Sequence, residues 1–191
     1  MSLISLPILH IFLAKKAEIP YNKKDSNLQN ISSSYFHIRK EGLAMKKLGF
    51  NPYLPSWEYI PDGEPYVFDG RVYVYGSHDF FNGYVFCMGD YVCWSAPVDN
   101  LADWRYEGVI YPRNEDPMNK DGAMCLYAPD VTVGPDGRYY LYYVLDHLDI
   151  VAVAVCDTPA GRYQFLGHVH YPDGTLYGRK EGDEPQFDPG V

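Results

Sequence analysis

From residue 62 onward, apolar and polar positions alternate with period two in short runs separated by turn residues. Tyr66-Val67-Phe68 and Val72-Tyr73-Val74-Tyr75 flank Asp69-Gly70, and Val131-Thr132-Val133 and Tyr139-Tyr140-Leu141-Tyr142-Tyr143 flank a stretch ending in Asp136-Gly137. Period two places successive side chains on opposite faces of an extended strand. An Asp-Gly pair between two such runs predicts a hairpin, because Gly takes the positive φ that a tight turn requires. A third strand is predicted in each half, ending at Ser95-Ala96-Pro97 and at Asp157-Thr158-Pro159. A fourth follows around Trp104 to Ile110 and around Arg162 to Val169. After Met45 no stretch of about 10–12 residues holds a helical stripe. The expected class is all-β.

The two halves say one thing twice. Each runs Asp, a short apolar stretch, Asp-Gly, Arg, then an aromatic strand, and the two arginines, Arg71 and Arg138, lie 67 residues apart. Four strands with their loops in one period describe a propeller blade, longer than the roughly 40–50 residues of the common propeller repeats. Blade one is expected at about 62–111 and blade two at about 128–170, with a third beginning at about 186–191 on Phe187-Asp188-Pro189. A β-sandwich is the alternative for short strands with regular turns; the repeat favours the propeller. Propellers close with about 4–8 blades. Two blades and a start are therefore expected to be a truncated, partial propeller, with bare edges and apolar faces that favour self-association.

Residues 1–44 differ in character. Ser2 to Ala14 is an apolar run of 13 residues, too short to cross a bilayer comfortably. Its lysines, Lys15 and Lys16, follow it instead of preceding it, which makes a poor secretory signal. A cytoplasmic location and no membrane partner are expected. Met45, followed by Lys46-Lys47, is read as the natural start, with 1–44 a non-native or poorly ordered extension and 45–191 the propeller part. A native linker or amphipathic arm is the other reading.

Composition narrows the function. Lys+Arg 16 against Asp+Glu 25 gives a net charge of −9, which would repel a phosphate backbone and argues against nucleic acid. The 19 tyrosines outnumber all lysines and arginines, which suits aromatic strands. The 4 cysteines (87, 93, 125 and 156) have no zinc spacing and read as buried thiols. A disulfide between Cys87 and Cys93 across a hairpin is conceivable but not specified by spacing. His168 and His170, two apart on a strand, lack a third ligand and are weak evidence for a metal. No phosphate loop or nucleophile elbow is present, so neither metal nor cofactor is expected.

The candidate chemistry lies in carboxylates at strand starts. The innermost strand of a blade lines the central channel, and Asp62 and Asp130 each sit just before that strand, with Asp188 third in the series. Converging carboxylates among aromatic side chains suit glycoside chemistry: one activates water, a protonated acid donates to the leaving oxygen, and aromatic faces stack on sugar rings. Asp at a strand start is also a common turn former, and Asp69 and Asp136 are read as that alone.

The residues also resemble a known family. Asn51-Pro52-Tyr53-Leu54-Pro55, Pro61-Asp62-Gly63-Glu64-Pro65 and Gly70-Arg71-Val72-Tyr73-Val74-Tyr75-Gly76-Ser77-His78-Asp79 are similar to the opening of glycoside hydrolase family 43. Tyr127-Ala128-Pro129-Asp130-Val131 and Phe187-Asp188-Pro189 resemble its second and third blade starts. The likeness covers about 48–191. It implies a five-bladed propeller and an inverting glycosidase of the β-xylosidase, α-L-arabinofuranosidase or arabinanase kind, acting on xylose- or arabinose-containing saccharides. By that resemblance Asp62 is the general base, and Asp130 keeps the acid protonated and orients the sugar. His78 and Asp79 would touch substrate, and Tyr127, where the family often carries Trp, would stack on the sugar.

Two departures stand out. Gly63 follows Asp62 where the family usually has Pro, which leaves Glu64 as an alternative base. The family's acid is a Glu of the third blade, and neither Glu181 nor Glu184 fills that place, so this chain alone is expected to be inactive. The alternative function is a non-catalytic sugar-binding or interaction propeller, and a related retaining furanosidase is a further rival. Trp57 could wall the site or be buried, and Trp104 is expected in the core.

Overall fold

The computed structural model describes residue 49 and residues 51–191. The expected extension over 1–44 lies outside the described residues. Eight strands form two meanders. The first sheet is β1 (Glu64–Phe68), β2 (Arg71–Tyr75), β3 (Tyr91–Pro97) and β4 (Arg105–Tyr111); the second is β5 (Asp130–Val133), β6 (Tyr139–Val144), β7 (Val151–Cys156) and β8 (Gln164–His168). Strands follow chain order in each sheet, and every neighbouring pair is antiparallel. The architecture is all-β, two successive four-stranded blades of a partial propeller. A short 3-10 turn at Arg113–Glu115 and another at Pro117–Asn119 lie between them.

The two Asp-Gly turns are not alike. In the first, Phe68 pairs with Arg71, and Asp69 and Gly70 have φ of 48° and 76°. That is the two-residue hairpin turn expected from the sequence. In the second, the last pair is Val133 with Tyr139. Gly134 N–H donates to the Arg138 carbonyl at 2.8 Å, and Gly137 (φ 80°) closes back on Gly134. The second hairpin forms as expected, with a turn one residue longer: a two-residue turn would set Pro135 opposite Arg138, and Pro has no N–H to complete that pair. Asp136 instead accepts from the Arg138 backbone and side chain and from the Tyr140 hydroxyl, the turn role assigned to it.

The core fills the space between the sheets. Sheet one contributes Tyr73, Tyr75, Tyr91 and Cys93, and sheet two contributes Val131, Leu141, Tyr143, Ala152 and Ala154. Alternation sends the intervening residues of sheet one to its other face, where Val74 and Trp94 are buried beneath the segment before β1. Trp57 packs on Trp94 with centroids 5.8 Å apart and Tyr53 on Trp104 at 4.9 Å. Trp57 itself is 64% exposed, so it is not a core residue. Trp104 is half-buried just before β4. All four cysteines are free thiols, so Cys87 and Cys93 form no disulfide.

Tyrosine serves this core because its ring is apolar while its hydroxyl can reach a partner. Several hydroxyls cross from sheet one to the other half. Tyr75 donates to the Pro159 carbonyl at 2.7 Å, Tyr91 to the Tyr127 carbonyl, and Tyr111 meets Tyr143 at 2.7 Å. Tyr143 donates onward at 2.5 Å to Asp116, a carboxylate with no solvent exposure. Asp116 also accepts from Met118 N–H at 2.7 Å, and the buried His168 Nε2 lies 3.8 Å away. Burial is the leading cause raising Tyr75, Tyr111 and Tyr143 above the ordinary phenol range, so they remain donors. Tyr143→Phe removes the donor to a buried carboxylate. It is expected to destabilise the chain by about 2 kcal/mol, read as a lower urea midpoint with unchanged m.

Candidate active site

Asp62 lies in the turn two residues before β1 and is exposed. Continuing the β1–β2 register from Glu64 opposite Tyr75 sets Asp62 opposite Ser77. Ser77, fully buried, donates its hydroxyl to Asp62 Oδ2. Among the described residues Oδ1 has no partner, which leaves it able to accept a proton. Gly76 has no room for a side chain, since a Cβ there would sit 2.4 Å from Ile60 Cγ2 and 3.1 Å from the Asp62 carbonyl oxygen. The backbone beside Asp62 is thereby held close to β2.

Asp130 opens β5 and is 5% exposed. Its Oδ1 accepts from Val131 N–H at 2.8 Å and from the Tyr66 hydroxyl at 2.5 Å; its Oδ2 accepts from Val191 N–H at 2.7 Å. The two aspartates are not at equivalent ladder positions. Asp130 pairs with Tyr142, whereas the residue of blade one paired with the corresponding Tyr75 is Glu64. One position of the difference comes from the longer second turn and one from Asp130 lying a residue nearer its arginine, eight before Arg138 against nine between Asp62 and Arg71.

Asp188 comes to the same centre. Its carboxyl is raised above the ordinary value by partial burial first and by the Asp62 charge second, while the Ala128 N–H opposes that rise. The fully buried Tyr91 hydroxyl is held high by burial first and also feels Asp188 and Asp62. Asp188 thus feels the charge at the start of blade one, and the chain three residues further on, at Val191, touches Asp130 at the start of blade two. Asp188 also borders a cavity of about 350 Å³ shared with Tyr142, Tyr177 and Phe187. That cavity is on the outer face of sheet two and is lined by neither Asp62 nor Asp130.

The other candidates occupy the loop between β2 and β3. Both ring nitrogens of His78 have partners: Nδ1 faces the Asp90 carbonyl at 3.1 Å and Nε2 the Glu58 carboxylate at 2.8 Å. The second Glu58 oxygen takes Trp94 Nε1 at 2.7 Å. His78 therefore ties the loop to the segment before β1. Asp79 Oδ1 accepts Cys87 N–H at 2.6 Å and closes the loop's base. Burial pushes the Cys87 thiol up to about 11, against a hydrogen bond with Ser77. Phe81 and Tyr84 stand out from the loop at 83% and 90% exposure. Tyr127 is half-buried with its ring stacked on Phe86, centroids 5.9 Å apart. A partly open aromatic surface thus adjoins the carboxylates. Among the described residues no group of three His, Cys, Asp or Glu side chains is placed to hold a metal.

Sequence reasoning missed Ser77, Tyr66 and Glu58. Ser77 lies inside the motif that pointed to His78 and Asp79, and its place two beyond Tyr75 was countable from the turn. Tyr66 reads only as an alternating strand residue. Glu58 carries no local signal.

No family model matches the chain. It is 74% identical over 147 residues to a xylosidase/arabinosidase of Thermoclostridium stercorarium, covering 77% of this chain and 31% of that protein. It is 34% identical over 121 residues to a xylosidase/arabinosidase of Bacteroides ovatus, covering 58% of this chain and 36% of that protein. The chain thus spans about a third of the length of these relatives. A solved exo-β-1,3-galactanase of Clostridium thermocellum shares the fold at a TM-score of 0.52 and 17% identity, over 74% of this chain and 30% of that one.

Proposed function

The chain belongs to glycoside hydrolase family 43 over the part it shares with those relatives, and on that premise we propose that it carries two of the acidic groups of an inverting glycosidase. The substrates are xylose- or arabinose-containing saccharides. The observation that supports this reading most is that the 188–191 segment reaches both aspartates, Asp188 through the Asp62 charge and Val191 through its N–H to Asp130, beside the open aromatic surface of Phe86 and Tyr127.

In this reading Asp62 is the general base. Its Oδ2 is anchored by Ser77, and its free Oδ1 takes a proton from the attacking water. Water attacks the anomeric carbon as the glycosidic C–O bond breaks, and the leaving oxygen takes a proton from a Glu of the third blade. Asp130 holds that Glu protonated by the repulsion between like charges. Tyr127 supplies a stacking face, and His78 and Asp79 fix the loop that carries Phe86. The acid is not among the 191 residues, so the chain alone turns nothing over.

Proton NMR of the first product tests the reading. With an aryl β-xyloside or α-arabinofuranoside, the full-length protein should release the sugar with inverted anomeric configuration, and the 191-residue chain none above the buffer blank. A retained anomer, or turnover by the chain alone, would defeat it.

A further inference from the structure

The carboxylate of Asp130 is reached from another blade. Tyr66, in the middle of β1, sends its hydroxyl across to Oδ1 at 2.5 Å, from 64 residues away in sequence. The ring is fixed before it arrives, stacked on Phe68 at 6.0 Å and 9° and tilted against Tyr75 at 6.4 Å. Burial first, and then the hydrogen bond to Asp130, push the phenol up to about 12, so it donates at any working pH. The remaining donors to Asp130 are backbone N–H groups, Val131 on Oδ1 and Val191 on Oδ2. Tyr66 is therefore the one side chain among the described residues that grips this carboxylate.

We propose that Tyr66 is a positioning residue: it holds the Asp130 carboxylate in orientation across the junction between blades one and two. This rests on the reading of Asp130 given above. A carboxylate that must act on a neighbouring acid has to be held in place, and a hydrogen bond from a phenol to a carboxylate is one of the stronger tethers. The carboxylate also works only where its oxygens point, and a ring clamped between two aromatics sets that direction more firmly than a mobile side chain. The strand partner of Tyr66 is Tyr73, itself in the core, so β1 cannot slide without moving the hydroxyl off Asp130.

The test uses Tyr66→Phe in the full-length protein, which keeps the ring and removes only the oxygen. The expected result is a fall of about tenfold in kcat/KM, carried by kcat with KM within about twofold. In an Asp130→Asn background the same change should add less than about twofold, since one residue acts through the other. Phe68→Leu, which loosens the packing but keeps the hydroxyl, should lower the melting temperature and leave kcat within about twofold. A silent Tyr66→Phe beside an inactive Asp130→Asn would overturn this inference and leave the assignment of Asp130 standing. An Asp130→Asn protein of normal activity would overturn both.

Discussion

Asp62→Asn in the full-length protein is expected to lower kcat by about 10²–10⁴-fold, the span typical of a lost general base, and to leave sugar affinity within a few fold. The two side chains have the same shape, and the amide oxygen can still accept from Ser77. What the amide cannot do is take a proton from water. Glu64→Gln is the companion measurement. Glu64 stands at the ladder position that Asp130 occupies in the next blade, so strand pairing alone would choose it. It is exposed, however, and among the described residues no donor anchors its carboxylate, so its loss should change kcat by less than about twofold. The reverse outcome, a silent Asp62→Asn and an inactive Glu64→Gln, would move the base by two residues.

Leu141→Ala is expected to destabilise the chain by about 2–5 kcal/mol. Leu141 is fully buried at the middle of β6, where both sheets meet. Its methyls touch neighbours fixed by two hydrogen-bonded ladders, so the void left behind closes only in part. A loss of that size is a large share of the roughly 5–15 kcal/mol that holds an ordinary domain together. Leu166→Ala on β8 is the contrast, because that side chain is 53% exposed and should change stability by less than about 0.5 kcal/mol. Urea melts of both variants, compared at equal m, read the difference. Equal losses would mean that the buried face has been misassigned.

Much of this fold was legible because its information is local. Alternation located the strands, and Asp69-Gly70 marked a turn that only positive φ can make. The second hairpin was legible in the same way, but its turn is one residue longer, because Pro135 lacks the N–H that a two-residue turn would ask of it. That single residue moves the register and sets Asp130 beside Tyr142 instead of one place along. The site was legible in part. Its carboxylates stand at the repeat's own landmarks, but their partners come from elsewhere in the chain. Nothing near Asp130 announces Tyr66, and nothing near His78 announces Glu58, because those contacts exist only once the strands have paired and the sheets have docked. Trp57 shows a different limit. Its size argues for burial, yet it lies over Trp94 with most of its surface open.

The phenol oxygens that pass from one sheet to the other decide what counts as a separable piece of this protein. A cut between residues 117 and 126 would give two tidy meanders on paper. Each would carry away one half of every such pair, leaving carbonyls at Tyr127 and Pro159 and the acid at Asp116 without the groups that satisfy them. Anyone grafting, shuffling or permuting these blades should therefore move them as a couple.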